Sequence, residues 1–231
     1  MVGKGNDMGS VGNNSTSFLT WRKEWHDKYG VVPDYDEDTG STMENLTPSQ
    51  RRALEKELDR FTEVFSKFTD GTVGISFKRN LTEDSVGGEY EYGYSQVNFT
   101  DKVFGKWNDE GEWYGGVFNT FHPKGTDAIN SVSHELAHAV VDRIARNSVK
   151  NPDDFISNYK SIKDSTEKSI TDSAAKSLNS THGNLVTHIS GYALKNRGET
   201  IAEAVSDYVA NRTNANRYSI AIVKELKRRL K

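Results

Sequence analysis

Two histidines and a glutamate stand together in the run His134-Glu135-Leu136-Ala137-His138, inside a stretch that reads as one continuous helix. Positions four apart on a helix lie one turn above each other, so both imidazoles project from one face and can grip a single metal ion. Zinc suits such a pair. Neutral imidazole is a good ligand for it, and a site with three protein ligands leaves a position for water. Water on zinc becomes acidic enough to lose its proton near neutral pH, and Glu135, beside the first histidine, is a carboxylate able to take it.

The third ligand has to come from elsewhere in the chain. A third histidine on the same helix is ruled out, because the extended pattern H-E-x-x-H-x-x-G-x-x-H would need glycine and histidine where Val141 and Ile144 stand. His182 and His188 lie downstream without a helical context to aim them, and read as surface or supporting histidines. Better candidates are Glu199 and Glu203, one turn apart on the helix that follows Gly198. Alone, such a pair would be a solvated face; a two-histidine motif upstream that needs a carboxylate changes the reading.

The elements that must position these groups follow from periodicity. Residues 1–16 are Gly, Asn and Ser with little to bury and read as a disordered leader. Residues 17–70 form N-terminal helices: an amphipathic one from about Phe18 to Tyr29, and a second opened by Thr47-Pro48-Ser49-Gln50, a capping box with proline at the first helical position. Leu54, Leu58, Phe61, Phe65 and Phe68 give the second helix its apolar stripe. Between them, residues 30 to 46 read as a loop; its acidic run Asp34, Asp36, Glu37, Asp38 lacks the spacing of an EF-hand and reads as solvated surface.

From residue 71 the pattern becomes short segments rich in Val, Ile, Tyr and Phe, separated by Gly and Asn. Strands are expected near Thr72–Lys78, Glu89–Asn98 and Trp113–Phe121, with turns at Gly87-Gly88 and Asn108-Asp109-Glu110-Gly111, giving a small antiparallel sheet. Its expected substrate-binding edge is Tyr114 to Asn119, with Gly116 and Val117 central, because missing side chains at Gly115 and Gly116 let another backbone approach. The same two glycines would equally make an ordinary bulge. His122-Pro123-Lys124-Gly125 ends the sheet, and Thr126 or Asp127 caps the motif helix, which runs to about Asn147. Residues 150–183 are polar and read as a surface insertion of one or two helices. A helix from Gly198 to Arg212 and a last one from about Ala215 to Leu230 complete the chain.

Composition narrows the function. The chain has 231 residues, and 34% hydrophobic content is enough for a real core. With 30 basic and 33 acidic residues the net charge is −3, which argues against a general nucleic-acid binder, and the basic final turn suits a helix C-terminus. The absence of cysteine excludes disulfides, cysteine zinc sites and thiol nucleophiles. No apolar run is long enough for a membrane span, and the first residues lack the apolar core of a signal peptide, so neither membrane nor compartment is indicated.

The run Tyr192-Ala193-Leu194-Lys195-Asn196-Arg197-Gly198-Glu199-Thr200-Ile201-Ala202-Glu203-Ala204 resembles the segment Y-x-x-x-N-x-x-E-x-x-A-E-A of the catalytic domain of anthrax lethal factor. It is also similar to peptidase domains appended to some phage head-morphogenesis proteins and polymorphic toxins, in which a comparable H-P-x-G stretch precedes the H-E-x-x-H helix. The resemblance covers about residues 115 to 210. It implies a gluzincin-type zinc metallopeptidase acting on a peptide or protein substrate, with zinc held by His134, His138 and Glu199, Glu135 as general base, and Tyr192 helping to hold the oxyanion.

The chemistry is compatible with that implication. A phenol seven residues before a ligand glutamate, across a turn at Asn196 to Gly198, can reach over the metal. Glu203 would then accept a hydrogen bond from a ligand histidine and orient it. A second register, in which Glu203-Ala204-Val205-Ser206-Asp207 resembles the E-x-x-x-D segment of thermolysin-like enzymes, would make Glu203 the ligand; only the Glu199 register also accounts for Tyr192 and Asn196. The expected fold is α+β and zincin-like, with residues 71–231 as the metallopeptidase domain: a small antiparallel sheet beside the motif helix, and the glutamate helix closing the site. Two other classes fit the same motifs, a phage head-associated protein whose zinc is purely structural and a toxin effector module within a larger virion or toxin assembly.

Overall fold

The apolar stripe read in the second helix becomes a buried face: Leu54, Leu58, Phe61 and Phe65 line one side of α2 (Pro48–Phe65) in a computed structural model of the chain. The structure describes residues 11–33, 35–36, 41–42, 46–66, 68, 73–77, 88–92, 95–99 and 121–231. Thr47 caps α2 as its sequence implies, accepting the Gln50 N–H through its hydroxyl while the Gln50 side chain accepts the Thr47 N–H. Phe68 lies past the helix end and is still buried. Before α2 runs α1 (Val11–Tyr29), which begins upstream of the expected Phe18. In its second half Trp21, Trp25 and Tyr29 are buried and stack edge to face.

The fold is mixed α+β and mostly helical, with a small four-stranded sheet. Strands β1 (Val31–Pro33), β4 (Val73–Phe77), β5 (Gly88–Glu91) and β6 (Gln96–Phe99) lie in the order β1-β4-β6-β5; a separate pair joins β2 (Tyr35–Asp36) to β3 (Ser41–Thr42). The sheet is not antiparallel throughout, as expected, but mixed. Strand β4 runs parallel to both β1 and β6, and only β5 and β6 are antiparallel. The reason is connectivity: the chain passes from β1 to β4 through helix α2, and a helical crossover returns it in the same direction.

Two further expectations change in the sheet. Residues 30 to 46, read as a loop, contain β1, where β-branched Val31 and Val32 are buried and Pro33 stands at the end of an outer strand. The segment Glu89–Asn98 is a hairpin and not one strand. The chain reverses between Glu91 and Gln96, which face each other, and Ser95 takes a positive φ of 51° to do so. The strand expected at Trp113–Phe121, the turn at Asn108–Gly111, and the edge with Gly116 and Val117 fall outside the described residues, save Phe121 itself.

Helix α3 (Ser131–Asn147) carries the H-E-x-x-H motif and is entered through a 3₁₀ turn, Ala128–Asn130, where Asn130 accepts the Asp127 N–H through its side chain. Residues 131 to 142 are all buried, so α3 is a central helix and not one with an open face. Helix α4 (Pro152–Ser177) is broken in its helical geometry at Asn158. It is a single helix at the surface with one face docked on the core: Phe155, Thr166, Glu167, Ile170, Thr171, Ala174 and Ala175 are buried, and α4 packs on α3. A buried face of threonine and alanine with few large apolar residues explains why the sequence read as polar. After it come α5 (His182–Ile189), a 3₁₀ turn at Tyr192–Leu194, α6 (Arg197–Asn211) and α7 (Arg217–Arg229), with α6 packed along α3. One contiguous cluster of buried side chains runs from Trp21 and Trp25 through Leu58, Val97, Leu136 and Ile201 to Leu226, so the N-terminal helices share their core with the motif helix. Among the described residues no helix is long and apolar enough to cross a membrane.

Candidate metal centre

Two helices build the site. Helix α3 presents His134 and His138 one turn apart, with ring centroids 5.3 Å from each other. Helix α6 presents Glu199 in its first turn, and Asn196 fixes where that turn starts by accepting the Glu199 N–H at 2.9 Å. The Glu199 Oε2 lies 3.0 Å from His134 Nε2 and 3.7 Å from His138 Nε2. One ligand atom from each of these three residues can be chosen so that all lie within 4.8 Å of one another.

The protonation chemistry of His134 tests whether a cation fits. Its Nδ1 lies 2.9 Å from Glu203 Oε1 and its Nε2 3.0 Å from Glu199 Oε2, so a single neutral imidazole sits between two carboxylates with only one N–H to give. Burial by itself would lower the His134 imidazole, but the hydrogen bonds to Glu199 and Glu203 outweigh it and raise it well above the usual histidine range. Either Nε2 carries a second proton or a cation lies between it and Glu199. Tetrahedral zinc with ligand bonds of about 2.0–2.1 Å separates its ligand atoms by ~3.3 Å. The two Nε2–Oε2 distances of 3.0 and 3.7 Å lie either side of that value, so the three residues could hold a metal ion of this kind.

Burial would likewise raise the carboxyl of Glu199, yet hydrogen bonds to both imidazoles hold it well below the usual carboxylate range, ionised as a ligand must be. Glu203 lies deeper. Its burial is outweighed by hydrogen bonds from His122 and His134, which hold its carboxyl down at about 2. Glu203 faces His134 through Nδ1 and not through the Nε2 that faces Glu199, the arrangement in which a carboxylate orients a histidine. Asp207, the supporting residue of the alternative register, is engaged elsewhere: it accepts the Asn211 side chain and the Asn216 N–H, tying α6 to α7.

Glu135 is buried beside the two histidines, and burial pushes its carboxyl up. It packs at the start of β5, where a Cβ on Gly88 would stand 3.1 Å from Glu135 Cγ and 3.0 Å from the Phe99 ring. Glycine there leaves the carboxylate its room. Tyr192 is half-buried, its ring centroid 5.9 Å from that of His134, and its hydroxyl accepts from Lys195 Nζ at 3.1 Å. The structure thus brings together His134, Glu135, His138, Tyr192, Glu199 and Glu203, while Gly116 and Val117 lie outside the described residues. His182 and His188 do sit on a helix, α5, contrary to expectation; the exposed His188 stacks near Tyr218, away from the site.

Four side chains around the site were not singled out from the sequence as part of it. His122 Nδ1 lies 3.1 and 3.3 Å from the two oxygens of Glu203, and Ser190 Oγ donates to Glu203 Oε2 at 2.7 Å. Tyr92 Oη lies 3.3 Å from His138 Nδ1, and Lys163 places its ammonium 4.0 Å from the centre of the Tyr92 ring. The H-P-x-G stretch was the available signal for His122; nothing in the local pattern marked Tyr92, Lys163 or Ser190. No protein-family model, curated protein or solved structure matches the chain.

Proposed function

We propose that this chain is a zincin-like zinc metallopeptidase of the gluzincin type, hydrolysing peptide bonds in a peptide or protein substrate. The observation that carries the reading is the convergence of His134, His138 and Glu199 from two helices, with Glu135 beside them and His134 placed between two carboxylates. When bound there, zinc would polarise the scissile carbonyl and bring the acidity of a water molecule close to neutral pH. Glu135, whose side chain passes Gly88 at the start of β5, takes the proton of the attacking water and returns it to the leaving amine. The Tyr192 hydroxyl donates to the oxygen that gains negative charge in the transition state. Glu203 keeps His134 in the tautomer that offers Nε2 as a lone pair.

The test is metal content and cleavage measured together. Purified chain stripped with chelator and reloaded should hold about one zinc per chain. The loaded protein should cleave members of a broad peptide library, and the stripped protein should not. A chain that takes up zinc stoichiometrically yet cleaves nothing across the library and across intact protein substrates would mark the site as structural.

A further inference from the structure

The carboxylate that orients His134 has a second histidine on it. Glu203 is buried, with its side chain only 1% exposed, and its hydrogen-bonding capacity is divided among three groups. Oε1 accepts from His134 Nδ1 at 2.9 Å and from His122 Nδ1 at 3.1 Å; Oε2 accepts from Ser190 Oγ at 2.7 Å and faces His122 Nδ1 at 3.3 Å. His122 thus straddles both oxygens. It comes from the turn before that helix and lies 81 residues from Glu203 in the chain.

The turn itself is pinned. Gly125 has a φ of 81°, and a Cβ there would stand 2.6 Å from Asn211 Oδ1; the Asn211 amide donates to the Lys124 carbonyl at 2.8 Å. The neighbouring Phe121 carbonyl accepts the Tyr192 N–H at 3.0 Å, and the His122 and Tyr192 rings lie 5.7 Å apart. The dipeptide Phe121-His122 therefore holds the backbone of the tyrosine with one residue and the buried carboxylate with the next.

We propose that His122 is a positioning residue of the metal centre. Its Nδ1–H clamps Glu203 in the place that aims His134, and so keeps that carboxylate from turning to compete with Glu199 for the ion. The need for it follows from the spacing: Glu199 and Glu203 are one turn apart on α6, and His134 touches both. With this donor removed, Glu203 is held only by Ser190 and His134 and is less firmly kept one turn away from Glu199. Ser190 holds Oε2 and accepts the Ala193 N–H, which ties the same carboxylate to the Tyr192–Leu194 turn.

This inference rests on the zinc reading, and its test separates the two. Zinc affinity of the full chain is measured by competition with a chromophoric chelator, for wild type, His122→Ala, His122→Asn and His122→Leu, alongside melting of the metal-free proteins. Loss of a ligand's own hydrogen-bond partner lowers metal affinity by about 10- to 100-fold; His122 acts one step further out, through Glu203, so a loss of up to about tenfold is expected for His122→Ala and His122→Leu. His122→Asn, whose amide can donate near the position of Nδ1, should recover most of it. If wild type binds zinc and His122→Ala and His122→Leu bind it equally tightly, the inference is overturned alone. It is also overturned if Asn fails to rescue while metal-free melting falls in step, since that is the signature of lost packing. A wild-type chain that takes up no zinc overturns the metal reading and this inference together. Should His122→Ala not fold, Ser190→Ala, which removes the donor to Oε2, is expected to weaken zinc binding in the same direction, and unchanged affinity there counts against the clamp.

Discussion

Tyr92 and His138 meet across the site, the phenol oxygen 3.3 Å from Nδ1. If His138 Nε2 offers its lone pair to a metal, Nδ1 carries the proton and donates it to Tyr92, so the turn after β5 aims the second histidine as Glu203 aims the first. Tyr92→Phe keeps the ring, with the Lys163 ammonium 4.0 Å from its centre, and removes only the oxygen. Zinc affinity should fall by up to about tenfold, with unchanged melting of the metal-free protein. Chelator competition and a thermal melt check the two halves.

Glu199→Ala should abolish stoichiometric zinc binding, because it removes the only carboxylate facing Nε2 of both histidines among the described residues. Glu203→Ala should weaken binding and not eliminate it. Metal analysis of both proteins after dialysis decides: zinc retained by Glu199→Ala and lost from Glu203→Ala would exchange their roles.

Glu135→Gln should leave zinc content and stability nearly unchanged and lower peptide hydrolysis by about two to four orders of magnitude, since glutamine keeps the shape but cannot take a proton. Cleavage rates at matched zinc loading test this. Equal rates for the variant and wild type would remove Glu135 from the mechanism.

Tyr192→Phe should be milder. A lost oxyanion donor costs roughly 3 kcal/mol, or about a hundredfold in rate, while the Phe121 carbonyl still holds the backbone N–H of residue 192. The expected signature is a lower kcat with little change in KM.

Glu57 tests how the motif helix is anchored. Buried on α2, its Oε1 accepts from the Asn130 amide at 3.0 Å and from the Ser133 hydroxyl, at the start of α3. Burial pushes its carboxyl above the usual range, so the folded protein binds a proton that the unfolded chain has released. Stability from this group is therefore full below the usual carboxylate range and falls as pH rises through the elevated value. Glu57→Gln should flatten that fall in urea titrations across pH, and Glu57→Ala should cost about 2–3 kcal/mol by stranding both donors.

Local spacing was enough to single out the residues that the structure brings together. The two histidines, Glu135 and the Glu199–Glu203 pair are set by helical periodicity, which needs no tertiary contact, and Thr47-Pro48-Ser49-Gln50 caps α2 by interactions within four residues. The same holds for Asn196, whose side chain caps the helix that carries Glu199. Other features exist only once distant segments meet. His122 reaches Glu203 across 81 residues and Tyr92 reaches His138 across 46, and no periodicity links partners so far apart. Strand direction was hidden for a related reason: β1 is three residues long, and only its pairing with β4 after the crossover through α2 makes it part of a mixed sheet. Helix α4 read as polar surface because its buried face is built mainly from Thr166, Thr171, Ala174 and Ala175, small side chains whose burial depends on neighbouring helices approaching closely. Glu199 and Glu203 likewise differ only in the tertiary structure. One turn of helix makes both available, and only the packing of α6 on α3 decides that Glu199 faces Nε2 of His134 while Glu203 faces its Nδ1.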